Sequence, residues 1–235
     1  MGFESFRAFY QSDLQGCWAL LPVPAAFFVH LLLSRRAREL GASAAEAGFV
    51  RAWALLFSIE TLLDPLVGGK LVAWLGAPEW LATAVMLGFV LLGDFRVYWL
   101  LFGVARRDVG RGARLAAAVT PVVPLLAYAG EHLCARFAPD ATGQRLWLIH
   151  ELLFTGVAAW LWKSWLPRSG ADAKALRFLR RVCAYVIAYY GLWASCDALW
   201  LATSIDVAWL LRVLPNQLYY AFFVPFVWLA YSRRR

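Results

Sequence analysis

Residues 52–69 read AWALLFSIETLLDPLVGG, an apolar run that is long enough to cross a bilayer. Two carboxylates, Glu60 and Asp64, stand four residues apart inside it. On a helix this spacing puts both acids on one face. An acid at the centre of a bilayer costs about 3 kcal/mol on insertion scales, and such residues usually face the bundle interior or a wet cavity. The stretch therefore predicts a transmembrane helix with a polar, inward-facing side.

The composition of the whole chain indicates a membrane protein. Of 235 residues, 62% are hydrophobic and 16% are charged, and the mean hydropathy is +0.60. A soluble domain is about half apolar and about a quarter charged. The apolar runs are long and rich in Leu, Ala and Trp, which favours helices over the short alternating strands of a barrel. We expect an all-α, polytopic integral membrane helical bundle that forms one transmembrane domain over residues 1–235.

Seven apolar runs approach the roughly 20 residues that a helical span requires. Turn residues and charges separate them. The predicted transmembrane helices cover residues 14–34, 49–67, 79–103, 113–134, 146–166, 181–203 and 208–231.

Basic residues are distributed unequally between the two sides that this division creates. Most Lys and Arg lie in residues 35–51, 106–114, 163–181 and 233–235. The positive-inside rule then puts the N-terminus outside and the C-terminus in the cytoplasm, and we expect a bacterial inner (cell) membrane. The formal net charge of +8 is explained by these loops, so nucleic acid is not an expected partner. The expected partners are the lipid bilayer and anionic lipid headgroups at the basic loops.

Several predicted spans place polar side chains at a similar depth, roughly 3–10 Å outward of the midplane at 1.5 Å per residue. Tyr189, Trp193 and Asp197 form an i, i+4, i+8 stripe, and acids elsewhere align with aromatic or hydroxyl residues. This pattern predicts a shared, aromatic-walled pocket that opens outward. The predicted ion- or substrate-binding residues are Glu60, Asp64, Asp94, Arg96, Glu151 and Asp197, and the predicted lining residues are His150, Tyr189, Trp193, Asn216, Gln217 and Tyr220.

The charges of this pocket must be balanced. Two carboxylates at i and i+4 in a low dielectric do not both ionise without cost, so one holds a proton or a cation lies between them. Asp94 and Arg96 are two residues apart and point to different sides of a helix. We therefore expect Arg96 to find a carboxylate on a neighbouring helix or to extend towards the inner surface.

Several function classes lack their sequence signals. The chain has no P-loop, nucleophile elbow, zinc-protease or dinucleotide-binding motif. Three scattered histidines do not predict a three-His zinc site, no motif spacing supports a metal site at His150, Glu151 and Asp197, and the sequence leaves the cofactor open. The lysines are at 70, 163 and 174, so none offers a mid-span Schiff base for retinal. The sequence leaves open whether Cys17 and Cys134 pair, and it leaves the oligomeric state open.

Three functions fit this pattern. The first is a small transporter or channel that takes a proton, a cation or a small substrate, with Glu60 as the carrier. The second is an intramembrane lipid-modifying enzyme with Glu60, Glu151 or Asp197 as general base and His150 as acid or as metal ligand. The third is a membrane sensor or regulator that acts through the basic cytoplasmic loops. We favour the transporter because the acids are predicted to converge from several spans.

Overall fold

A computed structural model describes residues 5–136 and 143–234 of the chain. Within these ranges every regular element is a helix. The turn residues 138–140, which separate the fourth and fifth predicted spans, and Arg235 of the basic tail lie outside the described residues.

Among the described residues, seven long helical segments form the bundle, and we number them in chain order. They are α1 (Leu14–Leu33), α2 (Ala45–Leu63, continued by the π-helical stretch Asp64–Leu71 and by Val72–Trp74), α3 (Glu79–Arg106), α4 (Val109–Ala135), α5 (Gln144–Trp160, continued by the π-helical stretch Leu161–Trp165), α6 (Ala173–Thr203) and α7 (Val207–Ser232). Short helices at Phe6–Tyr10 and Arg35–Ala42 flank α1.

Five of these segments, α1, α3, α4, α6 and α7, are long and apolar enough to cross a membrane. The protein is thus an all-helical chain with the features of an integral membrane protein. The other two segments, α2 and α5, carry charged residues along their length, which lowers their hydropathy. These residues are Glu46, Arg51, Glu60, Asp64 and Lys70 of α2 and Arg145, Glu151 and Lys163 of α5. Seven spans and the orientation of the termini therefore stay predictions.

Ion pairs connect helix ends at both ends of the bundle. At one end they join the start of α2 to the end of α7, and the end of α3 to the start of α6. At the other end they join the residues before α1 to the end of α2, and the end of α4 to the start of α5. The pairs are Glu46–Arg234, Arg107–Asp172, Asp13–Lys70 and Glu131–Arg145. Consecutive segments therefore run in alternating directions.

α3 and α4 form a hairpin that closes at two glycines. A Cβ atom on Gly112 would lie 2.7 Å from the Cα atom and from the backbone nitrogen of Gly103. A side chain there would meet backbone, which cannot rotate away. Small residues allow this close approach of two helices, as is common between helices in membranes.

We predict that Gly112→Ala destabilises the protein by about 1–3 kcal/mol, because the added methyl overlaps α3. Gly110→Ala is the matched control, since a Cβ there comes no closer than 3.8 Å to another side chain. Thermal unfolding of the purified protein in detergent measures both. Equal transition midpoints for the two variants would show that the helices do not pack this closely.

Asp172 caps the N-terminus of α6 and joins it to the α3–α4 hairpin. Its Oδ1 atom accepts the backbone N–H of Ala175 at 2.8 Å, and its Oδ2 atom accepts from Arg107 at 2.5 Å. The hydrogen bond from Ala175, followed by that from Arg107, lowers the pKa of Asp172 below its usual value. The stabilisation is therefore complete above the ordinary Asp pKa of about 3.9 and is lost as the pH falls through the lowered value.

We predict that Asp172→Ala costs about 1 kcal/mol at neutral pH, as the loss of an N-cap does. Asp172→Asn keeps a capping oxygen and should lose less. Both variants should show a weaker loss of stability than the wild type when the pH is lowered below about 4. Unfolding midpoints across a pH series in detergent test this, and parallel curves for all three proteins would contradict it.

Candidate functional site

A buried ion pair joins α2 to α3. Nη1 of Arg96 lies 3.1 Å from Oε2 of Glu60, and the exposed fractions of the two side chains are 0% and 7%. Of the two outcomes expected for Arg96, the structure shows the carboxylate partner on a neighbouring helix. The positive charge beside Glu60 is therefore a side chain of the protein itself.

The rest of the Arg96 guanidinium is held by α7. Nη2 donates to the backbone oxygen of Tyr219 at 3.1 Å. The guanidinium carbon lies 4.2 Å from the ring centre of Tyr219 and 5.0 Å from that of Phe223. Tyr219 belongs to the π-helical stretch Leu218–Phe222, a type of irregularity that is frequent at functional sites. One arginine thus ties three helices together.

Gly93 makes room for this arrangement one turn before Arg96. A Cβ atom at position 93 would lie 1.7 Å from the hydroxyl oxygen of Tyr219. Only a glycine lets the phenol of α7 lie directly against the backbone of α3. The ring of Tyr219 is also packed against Tyr189 and Trp193 of α6, so it has little freedom to move aside.

Asp94 is bound by two side chains from other helices. The hydroxyl of Tyr190 on α6 donates to Oδ1 of Asp94 at 2.7 Å, and Nε2 of His150 on α5 lies 3.1 Å from Oδ2. Asp94 is completely buried, and His150 is nearly so. This network fixes the orientation of the imidazole ring, because one of its two nitrogens faces the carboxylate.

Asp197 is also completely buried and lies against side chains of other helices. Nε2 of Gln144 donates to its Oδ2 atom at 2.7 Å, and Arg212 of α7 forms an ion pair with Oδ1. The guanidinium of Arg212 lies 5.4 Å from the ring centre of Trp209 and 5.5 Å from that of Tyr10. Asp197 and Arg212 therefore form a second neutral pair beside α6.

These networks surround a partly open cavity of about 220 Å³. Two carboxylates, Asp64 of α2 and Glu151 of α5, lie on its wall together with His150 and Arg212. The wall comprises Tyr10, Asp64, Met86, Phe89, Val90, Trp147, His150, Glu151, Tyr190, Trp193, Arg212, Asn216, Tyr219 and Tyr220.

The structure brings the predicted site residues into one region but gives them different positions. Six of them line the cavity: Asp64, Glu151, His150, Trp193, Asn216 and Tyr220. The other predicted binding residues lie behind the wall, in the networks described above: Glu60, Asp94, Arg96 and Asp197. Tyr189 is completely buried behind the wall, and Gln217 donates to the backbone oxygen of Ala19 at 3.3 Å. The outward opening of the cavity stays a prediction.

Polar atoms on the cavity wall lack partners among the described residues. Oε2 of Glu151 and Nε1 of Trp193 are buried without a hydrogen bond. Glu151 has an exposed fraction of 4%, so bulk water does not compensate for this. The hydroxyl of Tyr220, by contrast, hydrogen-bonds to Asp64. A buried carboxylate oxygen with no partner needs a proton or a cation. Nε of Arg212 on the same wall is also buried without a hydrogen bond, so Glu151 and Arg212 are both chemically unsatisfied groups of the cavity.

Arg212 was not predicted as a site residue. Because Arg212 lies near the end of a predicted span, the sequence suggested that it belongs to the charges of a loop. In the structure its guanidinium lies near the rings of Tyr10 and Trp209 and pairs with Asp197. Tyr10 was missed because it precedes the first span. The sequence held a signal for Arg212. Asp197 lies inside a predicted span, where an acid needs a cation, and the next span begins after a short turn.

The described residues contain neither a metal-binding group nor a disulfide. Within residues 5–136 and 143–234, no group of three or more His, Cys, Asp or Glu side chains is arranged to hold a metal ion. All four cysteines are free thiols, so Cys17 and Cys134 do not pair in this structure.

Comparison of the chain with protein-family models, with curated proteins and with solved structures gives no match.

We predict that Glu60→Gln destabilises the protein by about 3–5 kcal/mol, because it leaves the buried guanidinium of Arg96 without a counter-charge. The double variant Glu60→Met/Arg96→Met removes both charges and should recover most of this loss. Glu39→Gln is the control. It breaks the exposed pair with Arg35 and should cost no more than about 1 kcal/mol.

Unfolding in detergent, followed by circular dichroism, measures these differences. A double variant that is no more stable than Glu60→Gln would contradict the view that the single substitution acts by stranding a charge.

Proposed function

We propose that this protein is a small membrane transporter or channel whose cavity binds a proton, a cation or a small cationic substrate. The observation that carries the proposal is the unpartnered, buried Oε2 of Glu151 on the wall of a cavity that Asp64 also lines. Two carboxylates from different helices facing one hollow form a site for positive charge, and intramembrane acids typically mark ion or proton pathways.

The distribution of charge supports a cationic occupant. Arg96 is neutralised by Glu60, and Arg212 is neutralised by Asp197. Among the described residues, Asp64 and Glu151 are then the wall carboxylates that form no ion pair with an arginine, although the charge of Arg96 acts on Asp64 and that of Arg212 on Glu151. The aromatic side chains of Trp193 and Tyr220 also line the cavity, and aromatic rings attract cations in partly dehydrated sites.

The two buried pairs change the role that the sequence suggested for Glu60. An acid held against a completely buried guanidinium is a poor carrier, because losing its charge would strand the arginine. In our proposal Glu60 and Arg96 hold the helices, and Glu151 with Asp64 binds the transported charge. Asp94 and His150, connected to Tyr190, offer a proton-holding network at the edge of the cavity.

For the membrane topology we propose seven spans, with the N-terminus outside and the cavity open to that side of a bacterial inner membrane. The alternating direction of the seven segments supports this. Trp18, Trp74 and Trp80 are exposed at the end predicted to face outward, as expected for aromatic residues at a membrane interface.

Anionic lipid headgroups are the proposed partners at the opposite end. A cavity of about 530 Å³ lies there between α1, the helix Arg35–Ala42 and α7. Its wall combines His30, Arg36 and Arg233 with apolar side chains such as Trp228. Basic residues beside an apolar surface suit an anionic headgroup and its chain.

A second candidate function is an intramembrane enzyme that acts on lipid. The specific observation that favours it is the Asp94–His150 pair, since a carboxylate that orients a histidine is a recurring acid–base arrangement. Glu151 follows His150 in the chain and lies on the same cavity wall. We rank this function second because, among the described residues, no Ser, Thr or Cys side chain lines the cavity as a hydroxyl or thiol nucleophile.

We predict that the reconstituted protein conducts protons or monovalent cations, and that Glu151→Gln and Asp64→Asn each lower the flux by at least about tenfold, since each removes a wall carboxylate. A pH-sensitive dye inside proteoliposomes and a potassium diffusion potential measure the flux. Glu39→Gln, which changes an exposed acid outside the cavity, should keep wild-type flux.

Wild-type flux in both cavity variants would reject the transport proposal. Mass spectrometry of the lipids from the same vesicles separates the second candidate. Lipid turnover by the wild type that is lost in His150→Gln, together with no flux, would favour the enzyme.

A further inference from the structure

A second hollow, which we call the side groove, lies between α3, α4 and α5. Its volume is about 410 Å³, and its wall is almost entirely apolar. The wall comprises Thr83, Met86, Leu87, Val90, Leu91, Pro121, Pro124, Leu125, Ala127, Tyr128, Leu146, Trp147 and His150.

The side groove and the cavity share part of their walls. Met86 and Val90 of α3, with Trp147 and His150 of α5, line both. One layer of side chains therefore separates an apolar hollow from a hollow with two carboxylates. The opposite side of the groove is formed by residues of α4 such as Leu125 and Tyr128, which are exposed on the flank of the bundle. In a bilayer this flank faces lipid chains.

This pairing of hollows matches the two parts of an amphiphile. The cavity, with Asp64 and with the unpartnered oxygen of Glu151, is complementary to an ammonium group. The side groove is complementary to a hydrocarbon chain, because its wall offers apolar contacts along three helices. A simple inorganic ion would use only the cavity and would leave the groove without a role.

We propose that the substrate is a membrane-dissolved amphiphilic amine, which reaches the cavity sideways from the bilayer. Its ammonium group binds between Asp64 and Glu151, and its chain lies in the side groove. This inference rests on the proposed function of the cavity and names the class of its substrate. The amine passes between Met86 and Trp147, where the flexible thioether side chain of Met86 can move aside.

The test is competition for photolabelling of the full-length protein in maltoside micelles by a decylammonium probe that carries a diazirine on its chain. Peptide mapping should place the label on α3, α4 and α5. Ethyl-, hexyl- and decylammonium should compete with affinity that rises by at least about tenfold from ethyl to decyl, because each buried methylene adds to binding. Decanol and decanoate should compete weakly.

Two pairs of variants separate the contribution of the side groove to amine binding from that of the cavity carboxylate. Leu87→Trp fills the side groove and should weaken decylammonium at least about tenfold while ethylammonium is unchanged. Leu92→Trp is its control, since Leu92 has nearly the same exposure on the same helix (44% against 46% for Leu87) and lines neither hollow. Glu151→Gln should weaken all three ammonium ions, and Glu39→Gln should weaken none.

Equal affinity for ethyl- and decylammonium, or undiminished decylammonium binding by Leu87→Trp, would overturn the inference. A change of oligomeric mass in Leu87→Trp but not in Leu92→Trp would overturn it too, because the groove would then hold a helix of a second copy. If the protein conducts inorganic cations but binds the three ammonium ions with equal affinity, this inference is rejected and the transport proposal stands. Decylammonium binding without any flux removes the transport proposal and leaves the amine site.

Discussion

The contact between Arg96 and Glu60 is the constraint on which the rest of the bundle depends. A guanidinium cannot lose its proton and cannot leave the interior once α3 is packed, so other helices must supply its counter-charge and its acceptors. Glu60 supplies the charge, and Tyr219 supplies a carbonyl oxygen and a ring face. The relative positions of α2, α3 and α7 follow from these contacts, and Gly93 is the residue that lets the ring approach.

This constraint divides the buried acids into two groups. Each inward-facing arginine takes one carboxylate: Arg96 takes Glu60, and Arg212 takes Asp197. These pairs are neutral and serve packing. Glu151 forms no ion pair among the described residues and lies on the cavity wall near Arg212, and in our proposal it binds an external cation or proton. The number of acids in the membrane therefore says less about function than the number left after the arginines are paired.

The sequence predicted the helical class and the region of the site because both depend on local patterns. Apolar runs set the helices, and the i, i+4 spacing of Glu60 and Asp64 put both acids on an inward face. The sequence could not predict which side chains contact each other between helices, because these contacts depend on how the helices pack. Gln217 follows Asn216 in the chain yet faces α1, and Arg212 turns inward only because aromatic rings and an acid on other elements receive it.

The position of His150 connects the polar and apolar parts of the site. Asp94 is held by Tyr190 and in turn holds one imidazole nitrogen, which sets the ring in the wall between the cavity and the side groove. An imidazole held this way cannot swing out of the wall without breaking its contact with Asp94. A ring fixed by a buried carboxylate is a firmer boundary than Met86 on the other side of the same wall. Any exchange between the two hollows should therefore occur on the methionine side, with the histidine as the fixed edge.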